Sequence, residues 1–399
     1  MNFAVLLCGD TESEAAKGLL GNLTEKQEKC INISKESINI FYFGGYNKID
    51  ENSPLVAVVF CDGEVPWDQQ ERAIAFAQER SLTIIPVVAD LKSFNQLAPE
   101  SLKEYNAFEC ASEMDIAELG NLILERFGLL RLQRKVFISY ARGESRAIAL
   151  QLCERLSARW YRVFLDTHSI RPGEKFQEAL MQELADSDLM ILLHSPGIQD
   201  RPWVQEEIAF ATKIGIGFVT VAWNRGIKGI FSDPVVLEEN AFLNADEPMD
   251  QWRLIDPVLQ NVVNQVSVRR LDAYGKREEN LRKRLVDFAG KKGFALVAYP
   301  GRFLKLSNSK WVDRYIEIAV GVPDAFRIQE AVDRSGYSEK GGYVPLFYDR
   351  EGVAPRTLRH LAFLQDGLPS SVRQLPESRA VLRGLPFRLY DKNGDMSWI

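Results

Sequence analysis

Short apolar runs alternate with helical patterns through the first two thirds of the chain. In the first 128 residues, segments 3–8, 38–43, 55–60 and 82–88 read as strands, each apolar and closed by polar or turn residues. Segments 12–28, 68–79 and 114–127 carry helical spacing. The plan then repeats. KVFISY at 135–140 is a strand, 145–160 a helix, 162–166 a strand, and a further helix ends near Ala185. Segment 188–193 is a buried-type strand, Asp200 is placed to cap the next helix with Pro202 in its first turn, and 217–222 is the following strand. Such alternation predicts an α/β fold in both halves.

The two halves align without a gap at an offset of 134 residues. Ser53-Pro-Leu falls on Ser187-Asp-Leu, Ile74-Ala-Phe-Ala on Ile208-Ala-Phe-Ala, and Asn106-Ala-Phe on Asn240-Ala-Phe. This reads as tandem duplication of one domain. Glu207 then stands opposite Ala73, and Trp203 opposite Gln69. The first copy has Trp67 and Glu71 at the same spacing two positions early, which turns them by about 200° on a helix. The first copy therefore reads as degenerate. The expected domains are 1–130, 131–266, and a C-terminal α+β domain over 267–399. The third opens on a charged helix at 267–292, with strands at 294–299 and 343–348 and helices at 324–334 and 355–364.

With 399 residues, 46% apolar and 26% charged, the composition is that of a globular protein of two or three domains. No apolar run reaches the length of a membrane span, and the opening MNFAVLLCGD reads as a strand, not a signal peptide. Five cysteines without CxxC spacing point to reduced thiols and a cytoplasmic setting. Three scattered histidines form no zinc pattern, so no metal is expected. Charge is uneven: residues 269–399 hold 24 basic and 16 acidic side chains, the remainder 25 and 39. A basic third after an acidic body fits internal docking or an acidic partner such as nucleic acid.

Chemistry concentrates where doubly wound sheets bind ligands, beyond the carboxyl ends of the strands. Tyr140 and Arg142 follow the first strand of the second copy, Asp166 and the turn to Gly173 follow the second, and Trp203 and Glu207 open the helix after the third. By spacing alone, a first-turn acid or a helical Trp is equally at home in a purely structural role.

The second copy resembles the TIR (Toll/interleukin-1 receptor) domain family. The resemblance rests on Phe137-Ile-Ser-Tyr-Ala-Arg, Val163-Phe-Leu-Asp, Ile170-Arg-Pro-Gly, Ser187-Asp, Leu193-His-Ser-Pro and Trp203-Val-Gln-Glu-Glu-Ile. It implies a flavodoxin-like parallel five-stranded sheet, two in tandem with the first copy, and, for many members, cleavage of the nicotinamide–ribose bond of NAD+ by a glutamate at the position of Glu207. It also implies a bacterial antiphage role, with NAD+ as substrate and no cofactor. Arg142 would pair with the diphosphate, Asp166 would contact ligand, and Tyr140, Phe176 and Trp203 would line ring pockets. Ala141 stands where NAD-cleaving relatives often carry a second basic residue. The loop Ile170, Arg171, Pro172 and Gly173 would pack on a neighbouring subunit, making the active form a homo-oligomer or a complex with an activator. The alternative is a non-enzymatic scaffold or nucleotide-sensing module that acts by oligomerising.

Overall fold

The computed structural model describes all residues except 1–2, 30–36, 51–52, 63–64, 81, 166–175, 224–232, 292–294, 299–302, 309–310, 328–345, 368–373, 378–387, 391–395 and 399. The expected loop at Ile170–Gly173 and Asp166 lie outside the described residues. The chain forms two compact units, one built on 1–132 and the other on 133–298 and 303–399.

The first unit runs β1 (Phe3–Gly9), α1 (Glu14–Lys29), β2 (Ile38–Tyr42), β3 (Leu55–Phe60), α2 (Trp67–Glu79), β4 (Thr83–Val88), a one-turn α3 (Phe94–Leu97), β5 (Phe108–Glu109) and α4 (Glu113–Arg126). Its sheet is parallel, in the order β2-β1-β3-β4-β5. Every residue of β1 and β3 is buried, because helices cover both faces, and the strands therefore read as unbroken apolar runs.

The second unit begins β6 (Arg134–Tyr140), α5 (Arg142–Ser157), β7 (Tyr161–Leu165), α6 (Phe176–Ala185), β8 (Leu189–His194), α7 (Pro202–Lys213), β9 (Gly217–Ala222) and β10 (Val235–Val236). A two-strand ribbon of β11 (Phe242–Leu243) and β12 (Arg253–Leu254) precedes α8 (Asp256–Lys291). The sheet order is β10-β9-β8-β6-β7, all parallel. Counted from the first strand, both sheets have the order 2-1-3-4-5. One core packs β6, β8 and β9 against α5 and α8; another packs the opposite face against α6 and α7.

The offset of 134 holds for α2 and α7 and for β4 and β9, whose buried faces coincide. It fails at the third strand. Leu55, Ala57 and Val59 face α2, whereas Met190 and Leu192 face α7 and their neighbours Ile191 and Leu193 point the other way. A one-residue slip reverses every side chain of a strand, so β3 and β8 correspond at 133 rather than 134.

The charged helix expected at 267–292 starts earlier, at Asp256, and crosses the expected boundary at 266. Its buried stripe runs from Leu259 to Ala289, so one face of the helix is packed along nearly its whole length. Beyond it lies a mixed sheet in the order β13 (Ala295–Ala298), β14 (Phe303–Asn308), β15 (Trp311–Ala319), β16 (Leu346–Asp349), β17 (Gln374–Glu377), with α9 (Pro355–Gly367) after β16. Strands β14 and β15 were not expected from the sequence: Lys305, Arg314 and Glu317 break the apolar pattern. Arg327 supplies a partner for Glu317 inside this sheet at 2.6 Å. Most of the helix expected at 324–334 lies outside the described residues.

Candidate functional site

Alternation along β6 divides its side chains between two cores. Val136, Ile138 and Tyr140 face α5 and α8, while Phe137 faces α6 and α7 and stacks on Phe164 at 5.3 Å. Ser139 shares the Phe137 face. There its Oγ donates to Glu207 Oε2 at 2.5 Å.

Glu207 comes from α7. Pro202 sits at the first helical position, and the N-cap is Arg201, whose side chain makes no capping bond, rather than the Asp200 expected from the sequence. Val204, Glu207, Ile208 and Ala211 are the buried positions, an i, i+3, i+4, i+7 stripe. Glu207 is thus a carboxylate in an otherwise apolar row, 2% exposed. Trp203, one turn earlier, stands beyond the strand ends and is 45% exposed, with the Arg201 guanidinium 5.7 Å from its ring centre. Phe176 opens α6 and is likewise exposed. Gln177 Nε2 donates to Glu206 Oε2 at 3.0 Å, tying the starts of α6 and α7 together.

The structure brings Glu207, Trp203 and Phe176 to the α6/α7 side. Tyr140 goes to the opposite face, 2% exposed in the α5/α8 core, because it follows Ser139 on an alternating strand. It is not a neighbour of Glu207 across the sheet face. Arg142 is exposed at the first position of α5.

Two features escaped the sequence. Ser139 is one; its signal was a polar residue inside the apolar run Val136–Tyr140. The other is Glu144, whose Oε2 accepts from Gly197 N at 3.0 Å and joins the segments that follow β6 and β8. A Cβ on Gly197 would lie 2.0 Å from Glu144 Oε1, so a side chain there would push the Glu144 carboxylate aside. Near this crevice, Ser145 Oγ, Ser195 Oγ and His194 Nδ1 are buried without a partner among the described residues. Burial also lowers the His194 pKa, which favours a neutral imidazole. These are hydrogen-bonding groups at a topological switch point.

A family model described as the TIR domain matches residues 136–228. This segment is a TIR domain. The chain is also similar to the NAD(+) hydrolase tir-1 of Caenorhabditis elegans, 31% identical over 118 residues. That match covers 28% of this chain and 11% of the nematode protein. The chain therefore spans about a tenth of that relative's length. A solved structure of a phosphosugar isomerase from Silicibacter pomeroyi DSS-3 overlaps 72% of this chain and 88% of its own. Its identity is 10% and its TM-score 0.20.

Among the described residues, no group of three or more His, Cys, Asp or Glu side chains is placed to hold a metal ion. Burial pushes the thiols of Cys8 and Cys61 up to about 12 and that of Cys110 to about 11, which keeps them protonated. No described helix is long and apolar enough to cross a membrane.

Proposed function

We propose that the TIR domain hydrolyses NAD+ at the nicotinamide–ribose bond, with Glu207 as its catalytic carboxylate. The observation that carries this reading is the buried, hydrogen-bonded Glu207 four residues after Trp203, inside the TIR segment of a chain that has similarity to an NAD(+) hydrolase. The C–N bond breaks with its electron pair going to nicotinamide, which leaves neutral. The ribosyl carbon develops oxocarbenium character and takes the oxygen of water, which gives up a proton. A fixed carboxylate beside the sugar stabilises that charge and orients the hydroxyls. Trp203 and Phe176 offer aromatic surface to the rings, and Arg142 a charge for the diphosphate. Tyr140 serves this reading as the packed base of β6 rather than as a ring contact.

The antiphage role and control by assembly through the loop at Pro172 and Gly173 come from the family resemblance, and the cytoplasmic setting from the cysteine pattern. The first unit is proposed as a degenerate copy, supported by the shared 2-1-3-4-5 order. For the basic C-terminal third, internal docking is favoured over nucleic acid, because Arg270 and Arg277 of α8 are committed to Asp188 and to the carbonyls of Ser187 and Ala185.

The test is incubation of the purified protein with NAD+ followed by mass analysis of products. Glu207→Gln keeps the shape and removes the charge; it should lower turnover by about 10²–10³. Wild-type turnover by a folded Glu207→Gln protein would remove Glu207 from the mechanism.

A further inference from the structure

We propose that Ser139 is a positioning residue that holds Glu207 ionised and oriented. The proposal deepens the reading above and rests on it for the reaction, although the pairing itself is testable without turnover.

The argument starts from the surroundings. The face on which Glu207 lies is lined by Phe137, Leu192, Val204 and Ile208. A carboxylate set into such a face is driven toward its protonated form, because burial penalises charge. A hydrogen bond donated to the carboxylate works the other way and favours ionisation. Ser139 supplies that bond at 2.5 Å from a fully buried position. Its backbone is held by pairing opposite Leu192 of β8, so the hydroxyl stands on a rigid element. Glutamate has three rotatable side-chain bonds; a donor fixed on a strand selects one arrangement of them.

The first sheet offers an internal comparison. Ser139 lies in a row with Leu192 and with Thr220, the fourth residue of its sheet's fourth strand. The corresponding row of the first sheet is Cys8, Val59 and Pro86, Pro86 being the fourth residue of β4. There the helix places Ala73 where α7 places Glu207, and Cys8 and Ala73 share an apolar cluster. Carboxylate and hydroxyl are both absent from that position, as expected if they act as a unit. Gln70 instead fastens α2 to β1, its Oε1 accepting from Gly9 N.

The experiment compares Ser139→Ala and Ser139→Thr with the full-length wild type, all checked for fold by circular dichroism. Two readouts are used: the pH dependence of NAD+ turnover, and the titration of Glu207 by carboxyl-13C NMR, with Glu207→Gln identifying its resonance. Ser139→Ala should lower kcat roughly ten- to a hundredfold near neutral pH with little change in KM. It should also move the acid limb of the profile and the Glu207 titration up by roughly one to two pH units. Ser139→Thr keeps a hydroxyl and should recover most of both. A Ser139→Ala protein whose Glu207 titrates as in wild type overturns the proposal, whatever its activity. If the wild type cleaves no NAD+ but the titration still moves, the NADase reading fails and the Ser139–Glu207 unit stands.

Discussion

Arg270 and Asp188 form an ion pair wholly inside the second unit. Arg270 Nε lies 2.7 Å from Asp188 Oδ2, and the side chains are 0% and 1% exposed. Asp188 Oδ2 also accepts from Lys135 N at 3.3 Å. The pair therefore fixes α8 to the starts of β6 and β8. Removing one partner of such a pair strands a charge, at a cost of roughly 3–5 kcal/mol, whereas replacing both with apolar groups costs far less. Arg270→Met should lose about that amount in chemical denaturation. Adding Asp188→Leu should return much of it. A double variant no more stable than Arg270→Met would mean that Asp188 is held mainly by other groups.

The anchoring of α8 continues past the expected domain boundary. Arg277 donates to Ser187 O at 2.7 Å and Ala185 O at 3.0 Å. A Cβ on Gly217 would come 2.4 Å from that of Ala273, so helix and strand are nearly in backbone contact. A fragment ending at residue 266 would leave those surfaces of β8 and β9 bare. It should unfold at a clearly lower temperature than a fragment ending at 291, or fail to stay soluble. Equal melting temperatures for the two would show that the second half of α8 is dispensable to the TIR fold.

These anchors explain which parts of the molecule could be read from sequence. The central parallel strands were legible because both their faces are buried, which leaves continuous apolar runs such as LVAVVF, whereas the two-residue edge strands β5 and β10 were too short to read. Long-range polar pairing was not legible either. Arg270 looks like one more charge on a charged helix until Asp188, 82 residues away, is brought to it. Glu317 hides β15 in the same way, and Ser139 gains meaning only when α7 crosses β6. The offset of 134 misled at the third strand because residue matching ignores facing. Leu55 and Leu189 match as letters but point to opposite sides of their sheets.

In the first unit, the chain after β3 turns through Asp62, whose Oδ2 accepts from Ala89 N at 2.8 Å. Burial raises the Asp62 pKa above the carboxylate value of 3.8, and the charge of Asp10 adds to this. An acid with a raised folded-state pKa contributes stability that is complete below its unfolded value and is lost as pH rises through the folded value. Asp62 should therefore weaken the first unit as pH rises from about 4 toward neutrality. Asp62→Asn keeps an acceptor for Ala89 N and should flatten that decline, giving a higher melting temperature at pH 7 but little change at pH 4. A fall in stability at pH 7 would show that the charge itself is needed there.

The last prediction concerns division of labour between the two sheets. They share one strand order, yet the helix position that carries Glu207 in the second carries a buried Ala73 in the first. Glu71, the nearest acid on α2, is exposed rather than turned into the sheet. The carboxyl ends of the first sheet's strands also lead into Asp10, Asp62 and Asp90, a set of negative charges facing any ligand that carries phosphates. Both facts argue that the first unit neither cleaves nor holds NAD+. Glu71→Ala should leave turnover per molecule unchanged, and the titrated stoichiometry for a non-cleavable NAD+ analogue should be one per chain. With Arg142 replaced by Ala, that analogue should weaken at its single site, with no second site revealed. A loss of turnover in Glu71→Ala comparable to that of Glu207→Gln, or a stoichiometry of two, would make the first unit a working partner rather than a degenerate one.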